Sequence, residues 1–100
     1  LPSVGRAQRT ASHRIGFLLP SHAEAFIRGM RESLRRLGYV EGRNISLEVR
    51  SAEGQLDRLP ALAAELVRLP VDVIVANQTP AAHAAKEATR SIPIVVSSGD

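Results

Sequence analysis

Residues Val73–Thr89 read VIVANQTPAAHAAKEAT. An apolar β-branched run halts at Asn77-Gln78-Thr79 and resumes as an alanine-rich segment headed by Pro80. Continuous apolar residues without alternation imply cover on both faces, so Val71–Ala76 reads as a buried strand. Pro80–Arg90 reads as a helix, with Thr79 as N-cap and Pro80 at the first helical position, where a missing N–H costs nothing. The Thr79 hydroxyl, the free N–H groups and the dipole would also seat a carboxylate, whereas plain capping explains the same residues.

Working outward, Ile92–Val96 is a fourth strand and Arg14–Leu19, RIGFLL, a first one ended by Pro20. Ala23, Phe26, Met30, Leu34 and Leu37 recur at helical spacing, with Glu24, Arg28, Glu32 and Arg36 four apart on an ion-paired, solvated face. Gly38 offers the left-handed position that ends such a helix. Ile45–Arg50, ISLEVR, alternates as a strand at a sheet edge does. Asp57–Leu69 is a second helix packing through Leu59, Leu62, Ala63, Leu66 and Leu69, with Pro60 tolerated in its first turn.

Strict alternation of strands and helices predicts an α/β fold: three layers, a parallel sheet in the order 2-1-3-4 and helices on both faces, as in flavodoxin-like proteins. The first and third strands are then neighbours whose helices leave to opposite faces, which opens a crevice outside their carboxyl ends. Pro20-Ser21-His22 and Asn77-Gln78-Thr79 meet there, and Ser97-Ser98-Gly99-Asp100 ends the fourth strand on the same rim. The candidate ligand-binding residues are Pro20, Ser21, Asn77, Gln78, Thr79, Ser97, Ser98 and Asp100.

Several chemistries lack their residues. The chain has no cysteine, hence no disulfide or thiolate chemistry. Its net charge is +3, of which Arg6 and Arg9 lie before the first patterned segment, and aromatic residues are 3% of the chain. Nucleic acid is therefore not the expected partner. No G-x-G-x-x-G or G-x-x-x-x-G-K-S/T cradles a phosphate, and the ends of strands one and three lack the acids of a phosphoacceptor domain. His13, His22 and His83 lack metal-ligand spacing, although His22 and His83 could approach one another at the crevice mouth. No nucleophile elbow surrounds Ser21, Ser97 or Ser98. Catalytic residues, metal and cofactor are all expected to be absent. No apolar run approaches the roughly 18 to 20 residues that span a bilayer. Residues 1–13, LPSVGRAQRTASH, are unpatterned and read either as a disordered tail or as the remnant of an export signal cleaved after Ala7.

The segments RIGFLLP, LGYVEGRNI, AEGQLDRLPALAAELV and TPAAHAAKEATRSIPIVV, in this order and spacing, resemble the periplasmic substrate-binding proteins of ABC importers, in the group that includes tryptophan and tyrosine binders. The resemblance implies a two-lobed clamshell of the type I periplasmic-binding-protein fold, with residues 14–100 forming most of the amino-terminal lobe. It further implies an exported, non-enzymatic receptor that holds a small organic solute between its lobes and delivers it to an ABC permease in the membrane. In such proteins the loops matching Pro20-Ser21, Gln78-Thr79 and Ser97–Asp100 face the cleft. This sequence departs from the pattern at Gln78, where Gly is common, and at Val49 and Ser51, where aromatics are frequent. An effector-binding lobe of a transcriptional regulator, which a helix-turn-helix would precede, and a small flavodoxin-like enzyme are the alternatives. The fourth strand, with Ile92, Ile94, Val95 and Val96 expected to be buried, has no partner on its outer edge, so self-association through that edge is also expected.

Overall fold

The computed structural model describes residues 12–97. Four parallel strands form one sheet in the order β2-β1-β3-β4, where β1 is His13–Leu19, β2 Ile45–Ser51, β3 Val73–Asn77 and β4 Ile94–Ser97. The connections are α1 (Glu24–Arg36), α2 (Leu59–Arg68, entered through a 3-10 turn at Leu56–Arg58) and α3 (Gln78–Ala88). Sheet order and layering are those the sequence predicts.

Alternation along the strands divides the core. Phe17, Leu19 and Val75 point to one face and pack with Ile27, Phe26 and Met30 of α1. The Phe17 and Phe26 rings meet edge to face, 6.2 Å between centroids at 77°. Leu18, Ile74 and Ala76 point to the other face, against Leu59, Leu62, Ala63 and Leu66 of α2 and the alanines Ala81, Ala82, Ala84 and Ala85 of α3. The short alanine side chains let α3 lie close to the sheet. Gly16 sits below Leu66, where an added Cβ would lie 3.0 Å from Leu66 Cδ2.

Helix α1 ends in a Schellman motif. Gly38 takes φ of 98°, its N–H donates to the Arg35 carbonyl, and the Tyr39 N–H reaches back to the Leu34 carbonyl. At the amino rim the Arg14 N–H donates to Asp72 Oδ2 and the Asp72 N–H donates to the Arg14 carbonyl, each at 2.7 Å. Asp72 thus ties β1 to β3 at the start of both strands.

The structure corrects several expectations. Leu37 is 73% exposed, because the helix turns at Gly38 before its side chain can reach the sheet. The four-apart charges on α1 do not pair as a ladder: Arg35 lies 3.9 Å from Glu32, and Arg31 reaches outside the helix to Glu41 at 2.8 Å. Val95 and Val96 are 53% and 52% exposed, since among the described residues nothing packs beyond β4 on either face. β1 begins at His13, whose N–H donates to the Asn44 carbonyl, so the pairing starts one residue before the expected boundary.

Candidate functional site

Parallel pairing places the carboxyl ends of all four strands on one rim. Leu19 is in register with Ser51, Leu18 with Ala76, and Asn77 with Ser97, so Ser51, Leu19, Asn77 and Ser97 form a row across the last rung. Strand alternation directs this row to the α1 side, which Leu19 and Val75 already share. The loops following β1 and β3 rise from the middle of this row, and their helices depart to opposite faces. The topology thus puts the loops that carry Ser21 and Thr79, both exposed, on one rim at this switch in strand order.

The expected residues do not play equal parts. Pro20 is buried, and its carbonyl accepts the Gly54 N–H at 2.8 Å while Leu19 accepts the Ala52 N–H at 2.9 Å. The loop after β2 is thereby hooked over the loop after β1. Pro20 is a fixed wall, and Ser21 is the first residue beyond it free to meet a ligand. Ser97 is half-buried at the end of β4. Ser98 and Asp100 lie outside the described residues.

Thr79 is not the cap of α3. The helix span starts at Gln78, preceded by Asn77 with φ of −92° and ψ of 117°, whose side chain makes no capping hydrogen bond; Gln78 itself is left-handed, so regular helical backbone starts at Thr79. The reason is local: Gln78 adopts φ of 74°, which turns the chain from strand into helix one residue earlier than a Thr79 cap before Pro80 would. A non-glycine residue in that region costs about 1 kcal/mol. Pro80 falls in the first turn, where its missing N–H is again harmless. The first-turn N–H groups of Gln78 and Thr79 consequently lack a side-chain cap, and the Thr79 hydroxyl is not committed to capping. This end of the helix carries the partial positive charge that favours an anionic group.

Asn77 is the residue that sequence reasoning undervalued. It is 7% exposed and the one buried polar residue among those described, and its Oδ1 has no hydrogen-bond partner. Leaving a buried amide oxygen unpaired costs about 1–3 kcal/mol. The signal in the sequence was a polar residue where the apolar run VIVA should have supplied one more core position.

Two depressions flank the rim on opposite sides of the sheet. A trough of about 490 Å³ on the α1 side is lined by Leu19, His22, Ala23, Ile27, Arg28 and Ser51 among others. A groove of about 700 Å³ between α2 and α3 is lined by Leu56, Leu59, Pro60, Thr79, Pro80 and His83 among others. His22 and His83 therefore do not converge on one site, and His83 instead lies 3.8 Å from Glu87 on its own helix. No group of three metal-ligating side chains occurs among the described residues.

A rim of loops at a change of strand order, with an open helix end, is a place where α/β folds bind ligands, and among the described residues no acid, base and nucleophile converge there. The family model described as ABC transporter substrate binding protein matches residues 19–100. The chain belongs to this family. It is 33% identical over 69 residues to a tyrosine-binding protein of Clostridioides difficile (strain R20291), covering 69% of this chain and 20% of that protein. It is similar in structure to the ligand-free, open form of a substrate-binding protein with adhesive properties from Clostridium difficile, with a TM-score of 0.78 at 28% identity, over 84% of this chain and 30% of that one. A conserved domain protein from Vibrio cholerae gives a TM-score of 0.78 at 29% identity, over 84% of this chain and 29% of that one. An ABC domain in complex with L-Trp from Streptococcus pneumonia gives 0.77 at 23% identity over 85% of this chain and 30% of that one, a likeness of fold. This ABC substrate-binding chain thus spans about a fifth of the curated relative and under a third of the solved ones.

Proposed function

We propose that the chain is the amino-terminal lobe of an exported solute receptor, which captures a small organic solute, an amino acid or a related carboxylate, for uptake through an ABC permease. The observation that carries the reading is the start of α3 on the carboxyl rim, where the N–H groups of Gln78 and Thr79 have no side-chain cap from Asn77 and the exposed Ser21 lies on the same rim. A carboxylate is the ligand group best matched to free N–H donors at the positive end of a helix. Ser97, with Ser98 and Asp100 following it in sequence, would supply further polar contacts on the same rim. Closure of a second lobe over the rim would desolvate these bonds and hide the solute from water. No covalent step is needed, so the reading is of a receptor and not of an enzyme.

Family membership and the tyrosine-binding relative support an amino acid as cargo. The same membership supports, as part of this proposal, a periplasmic location and delivery to a membrane permease. Among the described residues no helix is long and apolar enough to cross a membrane. The β4 edge adds self-association to the proposed behaviour of the isolated chain, since both its valines are half-exposed and no described strand pairs with its outer side.

The test is a titration of the ¹⁵N-labelled chain with the twenty L-amino acids, short carboxylates and neutral sugars at millimolar concentration. Weak binding is expected, because one lobe supplies half of the buried contact. Amide shifts confined to residues 21–22, 77–79, 81 and 96–100 with amino acids or carboxylates support the proposal. Shifts with none of the solutes, or shifts away from the rim, refute it.

A further inference from the structure

We infer that the Asn77 side chain is a specificity-determining group that reads the ammonium of a zwitterionic solute whose carboxylate lies at the start of α3. The inference rests on the solute-binding reading above and names the residue that would select an amino acid over a plain carboxylate. Asn77 is 93% buried by its 7% exposure, yet it neither caps the helix nor finds any partner for Oδ1. The fold does not call for an amide here. Val75 and Leu19 occupy the same face of the sheet as apolar residues, and a leucine at this position would continue that pattern. A buried amide oxygen without a partner among the described residues calls for one, and a group that arrives from outside would supply it.

Position identifies that group. Asn77 immediately precedes Gln78 and Thr79, whose N–H groups are the anion-attracting ones. Consecutive Cα atoms lie about 3.8 Å apart, so one small molecule can meet the amide and the helix start together. An α-amino acid carries its ammonium and carboxylate on a single carbon, which matches an acceptor placed beside a set of donors. Oδ1 is turned inward, and rotating the amide outward breaks no hydrogen bond to that oxygen, because it has none. The rim row supplies Ser51 and Ser97 on the same side of the sheet, while Leu19 keeps the floor between Ser51 and Asn77 apolar.

The experiment compares each L-amino acid that shifts the rim with its desamino carboxylate, using the chain and the variants N77L and N77D. Dissociation constants come from the ¹⁵N titrations, and the folded state of each variant is checked by its thermal melt. The unaltered chain should prefer the amino acid by about tenfold or more, the worth of a hydrogen bond to a charged group. N77L should melt no lower than the parent chain and lose the preference. N77D keeps an acceptor, so it should retain or increase the preference while weakening the desamino acid. Equal binding of amino and desamino acids by the parent chain overturns the role of Asn77 and leaves the receptor reading intact. So does a preference that N77L and N77D both leave unchanged. Absence of rim shifts with any solute overturns the receptor reading itself, and this inference with it.

Discussion

Gly16 and Leu66 provide the sharpest check on how α2 seats against the sheet. An alanine methyl at Gly16 would stand 3.0 Å and 3.2 Å from the two Cδ atoms of Leu66 and 3.1 Å from Val71 Cγ1. Leu66 is fully buried and Val71 is 3% exposed, so neither can swing into water to make room. Gly16→Ala should therefore cost about 1–3 kcal/mol, the range for overpacking a filled core. Leu66→Ala removes both Cδ atoms and should cost about 2–5 kcal/mol as a cavity mutation. Independent sites would add, but here the second change removes two of the three close approaches made by the first. The double variant should then be no less stable than Leu66→Ala alone, a coupling of at least about 1 kcal/mol. Urea unfolding of the chain, followed by far-ultraviolet circular dichroism, measures all three variants. Should Leu66→Ala leave too short a native baseline, sulfate strengthens burial without altering the contacts compared. Additivity within about 0.5 kcal/mol would refute the packing argument, because the residues would then not share a contact.

Gln78→Gly should raise stability by about 1 kcal/mol in the same assay, since glycine adopts the φ of 74° without the Cβ penalty; a loss of stability would mean that the Gln78 side chain holds the turn. Thr79→Ala should change stability by less than about 0.5 kcal/mol, because Thr79 is exposed and is not the N-cap, whereas loss of a true cap costs about 0.5–2 kcal/mol. Asp72→Ala should destabilise by about 1 kcal/mol through loss of the 2.7 Å bond from the Arg14 N–H, and exchange of that amide with deuterium should quicken. In sedimentation velocity the chain should associate as its concentration rises, and Val95→Lys should return it to a monomer; monomeric parent chain at high concentration would contradict the edge argument.

The sequence disclosed most of the architecture because each element carries a periodic signal. Uninterrupted apolar strands, a helical stripe through Phe26 and Met30, and the alternation of ISLEVR together imply the order β2-β1-β3-β4 and place the crevice. What it concealed depends on contacts between distant segments. Leu37 lies on the apolar stripe of its helix yet is exposed, because the glycine that ends the helix also takes its last turn off the sheet. Thr79-Pro80 has the form of a cap and first turn, but a left-handed Gln78 starts the helix earlier, and no local preference predicts that conformation for glutamine. Pro20 reads as a rim residue, and only the hydrogen bond from Gly54 reveals it as the inner wall of the loop.

The two sheet edges show how the fold distributes its exposed backbone. β2 carries Glu48 and Arg50 along its length, and Arg50 lies 3.5 Å from Glu48 and 2.8 Å from Glu65 of α2. Charged side chains on an edge discourage pairing with another strand, and this cluster also fastens β2 to the helix behind it. β4 has no such device: its sequence is IVVS, and its valines stand on opposite faces with about half of each in water. Val95 is in register with Val75, which α1 helps to bury, so α1 covers that face only as far as β3. The bare part of the face therefore begins beside Asn77 and Ser97, the polar end of the rim row. The surface expected to make the isolated chain associate therefore adjoins the polar end of the rim row.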